Sequence, residues 1–243
     1  MQSNRITISG LCQRYGRKPA LQDISLDIGP GMTGLLGRNG AGKTTLMKTM
    51  VTLMPPAAGD IHICGIPVNQ TRKVRSITGY LPQDFSMYPS MKVWEVLDYL
   101  GILSGLDKPT RRRRTEEILA AVNLTEERDK KVKALSGGMK RRLGVAQALL
   151  HDPAVIIADE PTVGLDPEER VRLRTLLVEL AKEKIVILST HIVEDIEAAC
   201  ENVAIIEEGR LLYAGEVKRL IAQTGADSME TAYLRSIQSR EAK

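Results

Sequence analysis

The run Gly37-Arg38-Asn39-Gly40-Ala41-Gly42-Lys43-Thr44 constrains this chain more than any other feature, because it fits G-x-x-x-x-G-K-[ST], a pattern with chemical meaning only between a strand and a helix. The sequence supplies both flanks. A short apolar strand is predicted at 33–36, and a helix follows the loop, with Leu46, Met50 and Leu53 at helical spacing until Pro55-Pro56 stops it. Glycines let the backbone wrap so that several N–H groups point at an anion, and the helix beginning near Lys43 adds the positive end of its dipole. Lys43 reaches terminal phosphates, and the Thr44 hydroxyl suits Mg²⁺. The expectation is a phosphate cradle from Gly37 through Thr44 and on to Thr45. An ordinary glycine-rich turn with an exposed lysine is the competing reading.

Beyond the cradle, the rhythm of apolar residues sets the fold class. Ile6 and Ile8, then Ile24, Leu26 and Ile28, alternate as half-buried strands do, punctuated by Gly10, Gly16 and Gly29-Pro30-Gly31, so an antiparallel β region is predicted near the start. From Val93 to Leu103, the residues Val93, Val96, Leu97, Leu100 and Leu103 trace one helical face; Ile118, Leu119 and Val122 trace another after Arg111 to Arg114. After Pro153, strand and helix alternate: strands at 155–159, 185–189 and 203–207, and helices at 167–183 and 192–200. That alternation predicts an α/β fold, a mainly parallel sheet flanked by helices, with an antiparallel β subdomain and a helical subdomain. The division expected is one domain over 1–243. Residues 1–84 and 151–215 form its core, 85–150 the helical subdomain, and 216–243 a weakly amphipathic helical tail whose polar end is frayed.

Composition removes other classes. With 43% hydrophobic and 26% charged residues over 243 positions, the chain is neither disordered nor a small disulfide scaffold, and a net charge of +4 is too mild to imply nucleic acid. Its apolar runs are a few residues long, whereas a membrane helix needs roughly 20. The N-terminus has no apolar block like that of a signal peptide. Cys12, Cys64 and Cys200 lack metal-ligand spacing and suit a reducing cytoplasm.

Two further motifs carry chemistry. Val155 to Ala158 is a buried-looking strand that ends in Asp159 and Glu160, and in open α/β sheets ligands sit at the carboxyl ends of strands. Asp159 would hold magnesium, directly or through water, and Glu160 would polarise an attacking water. Two acids after a strand are also compatible with a solvated loop start. Leu135-Ser136-Gly137-Gly138-Met139 leads into a helix whose first turn carries Lys140, Arg141 and Arg142, a second natural anion site, in which Ser136 also serves as an ordinary N-cap.

The phosphate loop, Gln83, Leu135-Ser136-Gly137-Gly138, Asp159-Glu160, Gly164-Leu165-Asp166 and His191 occur in an order and spacing that resemble the ATP-binding subunit of ABC transporters over nearly the whole chain, with the ABC-2 exporter type as the subtype suggested. The resemblance implies a P-loop NTPase that binds ATP and Mg²⁺. It implies that Tyr15 stacks on adenine, that Gln83 links magnesium and water to the helical subdomain, that Thr44 and Asp159 hold Mg²⁺, and that His191 contacts the γ-phosphate alongside Glu160 and Lys43. Ser136, Gly137, Gly138 and Asp166 would complete the ATP site of the opposite subunit, in a homodimer or a pair of related ATPase subunits. An integral membrane permease subunit would dock near Gln83 to Trp94, placing the chain in the cytoplasm, peripheral on the inner face of the cell membrane, with no nucleic-acid partner. Plainer roles stand beside these: Tyr15 as surface, Gln83 as a turn residue after Pro82, His191 as structural, and Asp166 as an N-cap with Pro167 at the first helical turn.

Two positions depart from the family. Arg38 replaces a common proline and adds charge at the loop rim; Met139 replaces the usual glutamine and removes a polar contact near the partner's ATP. Phe85, Tyr88 and Trp94 concentrate in one segment of a chain with few aromatics, which suits an interface or a local core. Arg111 to Arg114 read as a solvated helix face, with anionic lipid headgroups as the other reading. The alternative function is a soluble ABC ATPase acting on a ribosome or DNA; such proteins usually carry two cassettes or a long coiled-coil insertion, and this sequence has neither.

Overall fold

The computed structural model describes residues 4–84 and 86–241, so the expectation placed on Phe85 lies outside the described residues. Strands β1 (Ile6–Tyr15) and β2 (Lys18–Ile28) pair antiparallel, and β3 (Gly31–Leu36) then runs into the phosphate loop and helix α1 (Lys43–Met50). Next come β4 (Ala58–Ile63), β5 (Ile66–Pro67), α2 (Thr71–Ile77) and β6 (Thr78–Leu81), followed by α3 (Val93–Leu103), α4 (Lys108–Ala121) and α5 (Gly137–Leu149). The remainder is β7 (Val155–Asp159), α6 (Pro167–Ala181), β8 (Ile185–Thr190), α7 (Val193–Ala199), β9 (Asn202–Glu207), β10 (Arg210–Glu216), α8 (Val217–Thr224) and α9 (Met229–Glu241). Among the described residues, one sheet has the order β2-β1-β4-β5 and is antiparallel; the larger has the order β10-β9-β3-β8-β7-β6 and is parallel except where β10 pairs antiparallel with β9.

The period of two along each central strand divides the core. Val155 and Ile157 of β7 and Ile185 and Ile187 of β8 face α1 and the antiparallel sheet, in a cluster with Leu46, Met47, Met50, Ile6, Ile8 and Ile24. Their neighbours Ile156, Ala158, Val186 and Leu188 face the other way, into a cluster that continues to Val96, Leu97, Leu119 and Leu143. Strands buried on both faces read as continuous apolar runs. The same geometry brings the carboxyl ends of β3, β7 and β8 to one edge, beside the phosphate loop.

Three local expectations are corrected. Leu53 is not part of the helical face: α1 ends at Met50, Thr52 turns left-handed (φ 63°), and the N–H of Leu53 returns to the carbonyl of Lys48 at 2.8 Å, a Schellman closure that leaves Leu53 55% exposed. Leu103 is likewise exposed, because the buried seam of α3 ends at Gly101, against which the stem of Arg111 packs. Arg111 and Arg114 are not a solvated face. Arg111 binds Asp98 (2.8 Å) and the Leu106 carbonyl (2.9 Å), while Arg114 binds the carbonyls of Leu149 (2.8 Å) and Leu150 (3.2 Å), tying α4 to α3 and α5. Within the helical tail, Met229 and Ala232 of α9 are fully buried, and the last residues, expected to fray, lie outside the described residues.

Candidate nucleotide site

The phosphate loop is shaped by close backbone approach. A Cβ at Gly37 would collide with the carbonyl of Ile206, and Gly42 sits at φ 112°, a conformation that glycine alone adopts without strain. Behind the loop, Ala41 is buried and its N–H meets the Arg38 carbonyl at 3.1 Å. Arg38, Asn39, Gly40, Gly42, Lys43, Thr44 and Thr45 line a cavity of about 770 Å³ that Tyr15, Gln83 and Glu160 also border.

Lys43 crosses this loop. Its ammonium donates to the Gly37 carbonyl at 2.5 Å and the Arg38 carbonyl at 3.3 Å, and stands 3.7 Å from Glu160. Burial lowers its pKa below that of an ordinary lysine, opposed by the charges of Glu160 and Asp159. The Thr44 hydroxyl donates to Asp159 Oδ2 at 2.8 Å, whereas Asp159 Oδ1 is sealed from solvent with no hydrogen-bond partner. Burial pushes the Asp159 carboxyl above the usual range, with the Thr44 hydrogen bond opposing it. A buried carboxylate oxygen without a partner, next to a hydroxyl, is an oxygen donor set that suits a hard cation such as Mg²⁺.

Glu160 is 3% exposed and held at φ 49° by its N–H bond to the Ser189 carbonyl, 3.0 Å, which binds the turn after β7 to the end of β8. His191 Nδ1 lies 3.0 Å from both oxygens of that carboxylate. Tyr15 ends β1 and is 53% exposed, with its hydroxyl 3.4 Å from Thr45 Oγ1, so its ring is open to a planar ligand. Arg38 stands 3.9 Å from Glu207 at the rim.

The structure does not bring every candidate to this cavity. Ser136, Gly137, Gly138 and Asp166 are absent from its lining. They gather instead where the N-termini of α5 and α6 adjoin: Ser136 caps the Met139 N–H (3.1 Å), Asp166 caps the Glu169 N–H (2.9 Å), and Glu169 packs against Gly138 while bonding Arg142 at 3.0 Å. Both capping readings are therefore realised. Met139 turns toward the apolar core. Trp94 is half-buried beneath the Arg128 guanidinium, 5.4 Å from its ring centre, which favours local packing for it; Tyr88 is exposed and edge-on to Tyr99.

Residues that the motifs did not single out complete the surroundings. Lys18, Gln22, Glu208 and Gly209 also line the cavity, brought there by β2 and the β9–β10 turn. Asp195, fully buried in the first turn of α7, accepts from Thr162 Oγ1 (2.7 Å) and Arg174 (3.2 Å). Arg141, which the sequence places in the second anion site, has its guanidinium buried on the carbonyls of Pro161 and Asp159. Nothing in local sequence distinguishes these from ordinary surface polar residues.

A glycine-rich loop closed by a lysine, with its hydroxyl joined to an acid at the end of the neighbouring strand, defines a P-loop nucleoside triphosphatase. Residues 21–163 match the family model described as ABC transporter. Nod factor export ATP-binding protein I of Ralstonia nicotianae is 38% identical over 232 residues, which cover 93% of this chain and 71% of that protein. The linearmycin resistance ATP-binding protein of Bacillus subtilis is 35% identical, covering 88% of this chain and 70% of its own length. A solved ATP-binding subunit of an ABC transporter superposes with a TM-score of 0.87 at 28% identity, covering 96% of this chain and 99% of that one. The chain belongs to the ABC transporter family, as an ATP-binding and ATP-hydrolysing subunit that powers transport.

Proposed function

We propose that two copies of this chain sandwich two ATP molecules and drive export through an integral membrane permease. The observation that carries this reading is the separation just described: the cavity holding Lys43 and Glu160 lacks Ser136 to Gly138 and Asp166, which are grouped on another face as a second copy would require. Export is supported by the relatives named for Nod factor export and linearmycin resistance. A permease docking near Gln83 to Trp94 is supported by the exposed Tyr88 and by an adjoining groove of about 580 Å³ lined by Gln83, Ser86, Met87 and Pro89. No helix among the described residues is long and apolar enough to cross a membrane, so the chain would meet the inner face of the cell membrane through that partner.

Within each site, Tyr15 stacks on adenine, and backbone N–H groups from Gly37 to Thr45 with Lys43 cradle the phosphates. Thr44, Asp159 and Gln83 would hold Mg²⁺, and a cation there would neutralise charge on the phosphates. Glu160 orients the attacking water and accepts its proton; His191 fixes that carboxylate and faces the γ-phosphate. Catalysis here is positioning and electrostatics. Glu160→Gln keeps the cradle intact, so it should bind Mg-ATP with wild-type affinity while turnover falls about 10²- to 10⁴-fold. Turnover at the wild-type rate would remove Glu160 from this role.

A further inference from the structure

Arg141 stands one turn into α5, directly after the glycines that are assigned above to the partner's ATP. The residue is 8% exposed, and its guanidinium is buried against backbone carbonyls. Its three nitrogens reach backbone carbonyls from two separate segments. Nε donates to Pro161 (3.0 Å), Nη1 to Pro82 (3.3 Å) and Gln83 (2.7 Å), and Nη2 to Asp159 (2.7 Å) and Glu160. A guanidinium presents N–H donors in a rigid planar fork, so it can hold several carbonyls in a fixed relative arrangement, which a lysine ammonium cannot.

The helix that carries this fork is itself anchored. A Cβ at Gly79 of β6 would collide with the carbonyl of Ala148, so α5 lies directly on the strand that leads to Gln83. Its other end is fixed by the Ser136 cap and by Arg142, which bonds Glu169 and the carbonyls of Val122 (3.2 Å) and Asn123 (2.6 Å). Glu160, by contrast, occupies a left-handed backbone conformation that a non-glycine residue holds only when its surroundings enforce it. The Ser189 carbonyl holds its N–H and Arg141 holds its carbonyl.

We propose that Arg141 is a positioning residue for ATP hydrolysis: its fork sets the peptide planes of Asp159, Glu160 and Pro161 in register with Gln83, and thereby joins the helix facing the partner's ATP to the acids of this chain's own site. The proposal rests on the assignment of Asp159 and Glu160 made above. It touches neither the cradle nor the adenine ring, so its loss should appear in kcat and not in nucleotide affinity.

The test uses the purified full chain with Mg-ATP. Arg141→Lys keeps the charge and stem without the fork, and Arg141→Met is a second variant of similar reach that leaves no buried charge should the lysine fail to fold. Leu119→Ala, on the buried face of α4, serves as a destabilised control. The readouts are kcat, KM, the dissociation constant of a fluorescent ATP analogue, and the thermal midpoint. Both Arg141 variants are expected to lose tenfold or more in kcat with the dissociation constant within threefold of wild type. The control should keep kcat within threefold despite an equal or larger fall in midpoint. A kcat within threefold of wild type, a fall no greater than the control's, or an equal loss of affinity and turnover would overturn the proposal. If Glu160→Gln hydrolyses ATP as fast as wild type, the assignment of the acids has failed instead, whatever Arg141 does.

Discussion

The imidazole Nδ1 of His191 is 3.0 Å from each carboxylate oxygen of Glu160, although the two residues come from different strand ends. With Glu160 ionised, this contact requires a proton on Nδ1, which fixes the ring's orientation and directs the other nitrogen away from the acid. Removing the ring frees Glu160 to swing toward the Lys43 ammonium, 3.7 Å away. His191→Ala is therefore expected to lower kcat by tenfold or more, about 1.4 kcal/mol, with ATP affinity nearly unchanged. Weakened affinity with kcat unchanged, measured by ATP titration and initial rates, would place His191 in the binding site alone.

Lys43→Ala acts on binding. The ammonium is buried and in the proposed cradle would meet phosphate oxygens, and charge-assisted hydrogen bonds contribute about 1.5–3 kcal/mol. Equilibrium titration with Mg-ATP should show affinity weaker by about tenfold or more. Unchanged affinity would mean that the loop is not the cradle.

Asp195→Ala tests the link between α7 and the segment after Glu160. It leaves Arg174 and the Thr162 hydroxyl without their shared acceptor, and truncating one member of a buried pair costs about 3–5 kcal/mol, or about 2 here because Arg174 is partly solvated. Urea unfolding should show that loss, and Asp195→Asn, which retains an acceptor, should recover most of it. Equal stability of both variants and wild type would contradict the arrangement.

How much of this was legible in the sequence follows from the kind of signal each residue leaves. The cradle was legible because its glycines answer to local backbone geometry, as the φ of Gly42 and the contact at Gly37 show. The strand ending in Asp159 was legible because burial on both faces leaves a continuous apolar run. Arg141, Arg111 and Arg114 were not, since an arginine that binds carbonyls has the same local pattern as one that meets solvent, and the difference lies in what folds over it. Asp195 resembles any acid in a first helical turn. Leu53 fits helical spacing but falls just past a closure made by Thr52, a residue with no glycine-like signal.

Docking makes a separate prediction. Ser90→Cys lies in the exposed turn beside Tyr88, away from the phosphate loop. A thiol-specific cross-linker should join it to a cytoplasmic loop of the permease in membranes, and should do so far less when cysteine replaces the exposed Arg17 beside β1 instead. Equal cross-linking from both positions would remove the docking assignment.

The claim that each ATP site is completed by a second copy is tested most directly by mixing two inactive chains. Lys43→Ala spoils the cradle but keeps Ser136, and Ser136→Phe does the reverse. In a mixed pair, the intact cradle of one chain meets the intact Ser136 to Gly138 segment of the other. The account predicts that each variant alone is inactive and that ATP hydrolysis returns on mixing. A mixture as inactive as its parts, or Ser136→Phe hydrolysing at the wild-type rate by itself, would contradict it.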